Sequence, residues 1–298
     1  MYSGIIPALL TPFTQDDQVD ANALCQLIEF LIASGVDGLY LCGSTGEGLL
    51  LSEAERRLVV ETAVRQVARR VPVIVHVGAL ATAMSARLAR HARAIGADAV
   101  ASIPPFYYSV GTEGIEAHYR AIARAGLPLY LYNIPNATQV NMGAPIVSRL
   151  FREGVVRGLK FTSYDQLAFR EIVEACGPEF NTFAGPDEML LPFLLMGAHG
   201  GIGTTYNFAP WLYRQLFVAW KQGDLERARQ LQFQADRIVL AVVPFGVIAA
   251  TKAAMRFVGI DCGGVRAPLT SLTQAQQEQL RDALRGVGYD DLMREARA

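Results

Sequence analysis

The sequence predicts an α/β protein, a (β/α)8 barrel with a helical extension at its C-terminal end. Short apolar stretches and amphipathic stretches alternate eight times, about 25–30 residues apart. That is the beat of strand–helix units around a parallel sheet. The residues that close the apolar stretches are polar or conformationally special, and barrels keep their chemistry at the C-terminal ends of their strands. A doubly wound sheet, the alternative, usually carries Gly-x-Gly-x-x-Gly after its first strand, and no such turn is present.

Ile5–Leu9 reads as the first strand, with turn chemistry from Thr11 to Asp17. Ala21–Ser34 has helical periodicity through Leu24, Leu27, Ile28 and Leu31, and Gly35 ends it. Gly38–Cys42 is the second strand and runs into Gly43-Ser44-Thr45-Gly46-Glu47. Ser52-x-x-Glu55 is a capping box that opens a helix to about Arg69. Val71–Val77 is the third strand, followed by a helix from Thr82 to Ile95. Ala97–Ile103 is the fourth; it ends in Pro104-Pro105-Phe106-Tyr107-Tyr108, and Thr112–Ala125 is helical. Pro128–Asn133 is the fifth, closed by Ile134-Pro135 and followed by a short helix at Ala144–Phe151. Val155–Phe161 is the sixth, with a helix at Tyr164–Ala175. Asn181–Ala184 is the seventh and leads through Gly185-Pro186 into a helix at Glu188–Met196. Gly200–Thr204 is a glycine-rich eighth strand, ending in Thr205-Tyr206-Asn207. The barrel, residues 1–222, then closes. Residues 223–298 read as a bundle of Asp224–Val243, Phe245–Val258 and Thr273–Arg285, without a linker that would set it apart.

Composition narrows the function classes. The chain has 298 residues, 51% of them hydrophobic, enough for one large core. Net charge is −1 with no run of like charge, so neither nucleic acid nor an anionic membrane is an expected partner. The four cysteines, Cys25, Cys42, Cys176 and Cys262, form no CxxC pair and no zinc spacing. Buried reduced thiols suit a cytoplasmic protein. The first residues have no basic segment before their apolar run, which Pro7 interrupts, so no signal peptide is expected. No run of about 18 apolar residues suggests a membrane span.

The most informative stretch is Gly154–Ser163, whose core, Val155–Phe161, is the sixth strand. A strand covered on both faces should be nearly continuous in Val, Ile and Leu. Here it carries Lys160, in a chain with only three lysines, Lys160, Lys221 and Lys252, among 27 basic residues. Arginine cannot lose its proton at working pH, whereas a desolvated lysine can become an amine nucleophile. The bland alternative is a strand-end lysine that snorkels to solvent or pairs with an acid. With tyrosines and hydroxyls at neighbouring strand ends, a neutral lysine suggests a Schiff base with a keto compound. Tyr132, Tyr107 and Ser44 could relay the protons, though packing alone also accounts for such tyrosines. Gly43–Gly46 could offer backbone N–H groups to a carboxylate, or Ser44 and Thr45 could be ordinary turn residues.

Gly43-Ser44-Thr45-Gly46-Glu47, Tyr132-Asn133-Ile134-Pro135 and Leu159-Lys160-Phe161-Thr162-Ser163, at these separations, resemble the dihydrodipicolinate synthase/N-acetylneuraminate lyase family. The likeness covers nearly the whole chain. It implies a (β/α)8 barrel with a C-terminal helical extension, a homotetramer, and a pyruvate-dependent aldolase with neither metal nor organic cofactor. By that resemblance Lys160 forms the imine with pyruvate, Tyr132 moves protons beside it, and Ser44 and Thr45 bind the pyruvate carboxylate. Tyr107 continues the hydroxyl relay from a neighbouring subunit. Synthase members carry an arginine two residues after the Tyr-Asn-x-Pro proline; here that residue is Ala137, so a dicarboxylate would lack its clamp. Gly185-Pro186-Asp187-Glu188 and Gly200–Asn207 instead resemble the segments with which lyase members hold sugar hydroxyls. Asp187, Glu188 and Thr204 would bind the polyol, with Thr162 and the Gly185 backbone alongside, and N-acetylneuraminate would be cleaved. Asn136-Ala137-Thr138-Gln139, Pro186 and Thr204 depart from the lyase pattern, all at the substrate end. They leave room for a shorter 2-keto-3-deoxy sugar acid. A keto-acid sensor that keeps the barrel without catalysis is opposed by Lys160, Tyr132 and Ser44.

Other clusters are weaker. His76, His91, His118 and His199 show no metal spacing and read as structural. A glycosidase pair at Asp187 and Glu188 is unfavourable, because adjacent strand residues point to opposite faces. Lys252 is expected to face core or an interface, Lys221 a solvated helix end, and Glu47 a structural role.

Overall fold

The structure, a computed structural model, describes residues 1–297. Eight parallel strands are β1 (Gly4–Pro7), β2 (Leu39–Leu41), β3 (Val73–His76), β4 (Ala99–Ser102), β5 (Leu129–Asn133), β6 (Gly158–Phe161), β7 (Asn181–Ala184) and β8 (Gly200–Gly203). Each pairs with its neighbour in sequence from β2 to β8, and β8 pairs with β1. The circle closes where Ala8 bridges Tyr40 and the Leu9 N–H donates to the Tyr40 carbonyl at 2.8 Å.

Alternation along each strand makes two apolar layers. Leu39, Leu41, Leu131, Leu159 and Phe161 point outward into the layer shared with the helices. Ile6, Tyr40, Ile74, Tyr130, Tyr132, Phe183 and Ile202 fill the barrel interior. Lys160 lies in register between Tyr132 on β5 and Phe183 on β7, so it shares their inward phase. One turn of the strand below it, Gly158 makes room for the Tyr130 ring: a Cβ there would stand 2.5 Å from that ring and 2.1 Å from the Asn181 carbonyl oxygen.

The expected elements are present with shifted ends. The sixth strand starts at Gly158 rather than Val155, because the Val155 N–H returns to Leu150 O and closes the preceding helix, Ala144–Arg152. The helix read from Glu188 begins as a 3₁₀ turn, Asp187–Met189, and becomes α-helical over Leu190–Leu195. The Ser52–Glu55 capping box is formed from both sides. Helix Pro210–Lys221 completes the barrel. Beyond it lie Leu225–Val242, Val247–Met255, Gln274–Gly286 and a last helix, Tyr289–Arg297, that periodicity did not reveal. Leu225–Val242 packs along Pro210–Lys221 and under the Asp187 turn, and the Tyr289 hydroxyl donates to Phe208 O at 2.6 Å. Among the described residues no single helix is long and apolar enough to cross a membrane.

Candidate active site

Lys160 is 5% exposed, and its Nζ lies 4.3 Å from the Tyr132 ring centroid and 4.8 Å from that of Tyr40. Those are cation–π distances. Tyr40, Tyr132 and His76 meet with centroids 5.9–6.2 Å apart, so the amine rests on an aromatic bed. Among the described residues Lys160 has no carboxylate partner, whereas the equally buried Lys252 has Glu47 Oε1 at 2.6 Å. The snorkelling and acid-paired readings of Lys160 are therefore not what the fold adopts.

His76 is neutral. Burial first, then the Arg56 charge, pushes its imidazole down to about 3. Its Nδ1 donates to Cys42 O at 3.0 Å and its Nε2 accepts from the Ile103 N–H at 3.4 Å, which ties the ends of β2, β3 and β4 together. Arg56, 2% exposed, donates to the carbonyls of Gly78 and His76 from the helix behind. His118 likewise serves packing, between Thr82 Oγ1 and Ser102 Oγ.

The loop after β2 is held at both ends. Cys42 and Glu47 have φ near +55°, a region L-residues enter only when neighbours over-determine it. Within it the Glu47 N–H donates to Ser44 O and the Gly48 N–H to Gly43 O, each at 3.0 Å. The Thr11 hydroxyl donates to Gly46 O at 2.7 Å. Thr45 is buried with its Oγ1 2.7 Å from Thr204 Oγ1 at the end of β8, one strand beyond β1, and Ser44 is exposed. The N–H groups of Ser44, Thr45 and Gly46 have no acceptor among the described residues. Unpaired backbone N–H groups in a loop of this kind can donate to an anion.

The rest of this wall comes from β8, β7 and β6. Thr162 Oγ1 is buried and has no hydrogen-bond partner among the described residues. A Cβ on Gly185 would stand 1.8 Å from that oxygen, so only glycine leaves the hydroxyl its place. Asp187 accepts from the Thr204 N–H at 3.2 Å, the Thr205 N–H at 2.7 Å and Thr205 Oγ1 at 2.6 Å. Burial raises its carboxyl to about 6, against the lowering effect of those donors. Much of its acceptor capacity thus goes to the turn after β8. Glu188 accepts from the Tyr164 hydroxyl at the rim.

Of the expected site residues, the fold gathers Lys160, Tyr132, Ser44, Thr45, Thr162, Gly185, Asp187, Glu188 and Thr204 at the strand ends of one mouth. Tyr107 stands apart in this chain, 84% exposed at φ +73° with its ring against Tyr108. Sequence reasoning missed Tyr40 as the second face under the lysine. Its inward phase on β2 was the available signal. It also missed Asn133, whose side chain pins the turn after β5 through Met142 N and Asn141.

A family model described as the dihydrodipicolinate synthetase family matches residues 1–286. The chain is 37% identical over 282 residues to the N-acetylneuraminate lyase of Rhizobium meliloti (strain 1021), covering 94% of each. Among solved structures it superposes on a catalytic lysine mutant of the Ruminococcus gnavus sialic acid aldolase with a TM-score of 0.94, at 28% identity, covering 99% of this chain and 97% of that one. A prophage protein of the dihydrodipicolinic acid synthase family from E. coli K12, in complex with pyruvate, superposes with a TM-score of 0.91 at 30% identity, covering 96% and 99%. Matched over nearly its whole length in sequence and in fold, this chain belongs to the dihydrodipicolinate synthetase family.

Proposed function

We propose that this enzyme cleaves N-acetylneuraminate to pyruvate and N-acetylmannosamine through an imine on Lys160. One observation carries the reading: a buried lysine with no acid partner among the described residues lies against Tyr132, beside a loop whose backbone N–H groups have no acceptor among them. The curated lyase relative and the lysine mutant of the sialic acid aldolase support it.

The Lys160 amine adds to the C2 keto carbon of the open-chain sugar acid, and loss of water leaves the imine. The Ser44 and Thr45 region holds the adjoining carboxylate. A proton leaves the C4 hydroxyl toward Tyr132, the C3–C4 bond breaks, and its electron pair moves into the C2–C3 enamine. The released fragment is the aldehyde. C3 then takes up a proton, and water hydrolyses the imine to pyruvate and free Lys160. Thr162, Glu188 and Thr204, with the Gly185 backbone, face the polyol, and Asp187 holds the turn that presents Thr204.

In this reading residues 1–222 are the catalytic barrel and 223–298 an extension packed on it. The enzyme is a cytoplasmic homotetramer in which the protruding Tyr107 completes a neighbour's relay. A synthase acting on a second carboxylate is disfavoured, because Ala137 sits exposed where that clamp belongs. The departures at Asn136–Gln139 and Pro186 support a second reading, cleavage of a shorter 2-keto-3-deoxy sugar acid.

The test is pyruvate release from N-acetylneuraminate by the parent and by Lys160→Ala, with borohydride trapping of pyruvate. Release by the parent only, with a mass gain at Lys160, is expected. Trapping without release moves the substrate to the shorter sugar acids. No trapping at Lys160 overturns the imine mechanism.

A further inference from the structure

Glu47 ends the candidate carboxylate loop yet points away from the mouth, into the C-terminal extension. Its side chain is fully buried, and that of Lys252, on helix Val247–Met255, is 1% exposed. Their charges meet at 2.6 Å. The second carboxylate oxygen of Glu47 accepts from the Arg266 N–H at 2.7 Å. Lys252 Nζ also donates to Gly264 O at 2.7 Å and lies 4.0 Å from the Phe13 ring centroid, which the Arg266 guanidinium approaches to 4.4 Å. Every strong contact of this carboxylate therefore comes from residues 252–266, while its backbone holds the left-handed corner that closes the loop. A buried ion pair is weak evidence for stability, since its desolvation cost offsets the attraction. Its better-attested use is to select one geometry among several.

We propose that Glu47 and Lys252 are positioning residues for the keto-acid carboxylate: the pair holds the corner at Glu47 so that the N–H groups of Ser44, Thr45 and Gly46 converge on one anion. The C-terminal extension thereby sets affinity at a site it does not line. The inference rests on the reading of Gly43–Gly46 as the carboxylate site. Misplacing donors by a fraction of an ångström weakens binding, while Lys160 keeps its place on β6 and its aromatic supports, Tyr132 and Tyr40, which precede the corner at Glu47 or lie on another strand.

The test compares the parent with Glu47→Gln/Lys252→Met, which removes both charges together and leaves neither buried alone. Borohydride trapping of pyruvate on the parent comes first; no adduct at Lys160 sinks the function reading and not this one. Given an adduct, the double variant is expected to need about tenfold more pyruvate for half-maximal trapping, with the rate at saturation within about threefold of parent. Gln234→Ala removes a bond to Val287 O within the same extension, away from the loop. It is expected to lower the melting temperature and leave half-saturation unchanged. Glu47→Asp keeps both charges but shortens the arm, and is expected to raise the half-saturating concentration too; it decides the matter if the neutral pair does not fold. Parental half-saturation in a folded double variant or in Glu47→Asp overturns the proposal, and so does a shift of the same size in Gln234→Ala.

Discussion

Tyr132 has two separable jobs at the scale of one residue. Its ring packs edge-on against Tyr40 and His76 and forms one face of the bed under Lys160. Its hydroxyl is the proposed proton carrier. Phenylalanine keeps the first and removes the second. Tyr132→Phe is therefore expected to melt within a few degrees of the parent while kcat falls about 10²–10⁴-fold, the usual range for a lost general acid–base group. Pyruvate-release kinetics beside a thermal melt check this; a melting loss as large as the activity loss would assign the tyrosine to packing alone.

Helix Leu225–Val242 does at the scale of an element what no barrel residue does for the turn after β7. Gln232 reaches in from it, accepting from the Leu191 N–H at 2.8 Å and donating to Asp187 O at 3.2 Å. The contact lets the 3₁₀ turn Asp187–Met189 pass into the helix without leaving buried peptide groups unpaired. Gln232→Ala orphans the Leu191 N–H, which costs about 1–3 kcal/mol. Urea denaturation should show that loss. KM for the sugar acid should rise more than the half-saturating pyruvate concentration for trapping at Lys160, because the turn reaches the proposed carboxylate loop only through the Thr204–Thr45 contact.

The buried titratable groups set a pH response of the whole molecule. His76 and His118 are held neutral by burial, at about 3 and about 4, below the ordinary 6.5. The folded chain thus binds fewer protons than the unfolded one, and their contribution is complete above pH 6.5 and lost as pH falls toward 4. Asp187, raised from 3.8 to about 6, acts oppositely: its folded form takes up a proton more readily, so its contribution grows as pH falls through that window. At about 1.4 kcal/mol per pKa unit the two histidines outweigh the one aspartate. The melting temperature should fall between pH 6.5 and 4, and fall more steeply in Asp187→Asn, where the opposing group is gone. A flat profile would contradict the burial of the two imidazoles.

Local pattern was enough for much of this protein. Strand alternation depends only on neighbouring residues, so eight apolar stretches at a regular spacing announced the barrel. A lysine in the sixth of them stood out because burial penalises its charge. The three short motifs at strand ends located the mouth for the same reason, since barrel chemistry gathers there. The partners across space were decided by tertiary structure. That Tyr40 rather than an acid lies under Lys160 follows from how β2, β5 and β6 close around one axis. That Asp187 spends its oxygens on the Thr204–Thr205 turn follows from β7 meeting β8. Glu47 and Lys252 stand at opposite ends of the sequence, and nothing near either one signals the other. Only the docking of the extension brings them to 2.6 Å in a place where water cannot reach. Local sequence sets which chemistry is present; the closed barrel and its packed tail set which groups meet, because contact between distant segments is a property of the assembled core.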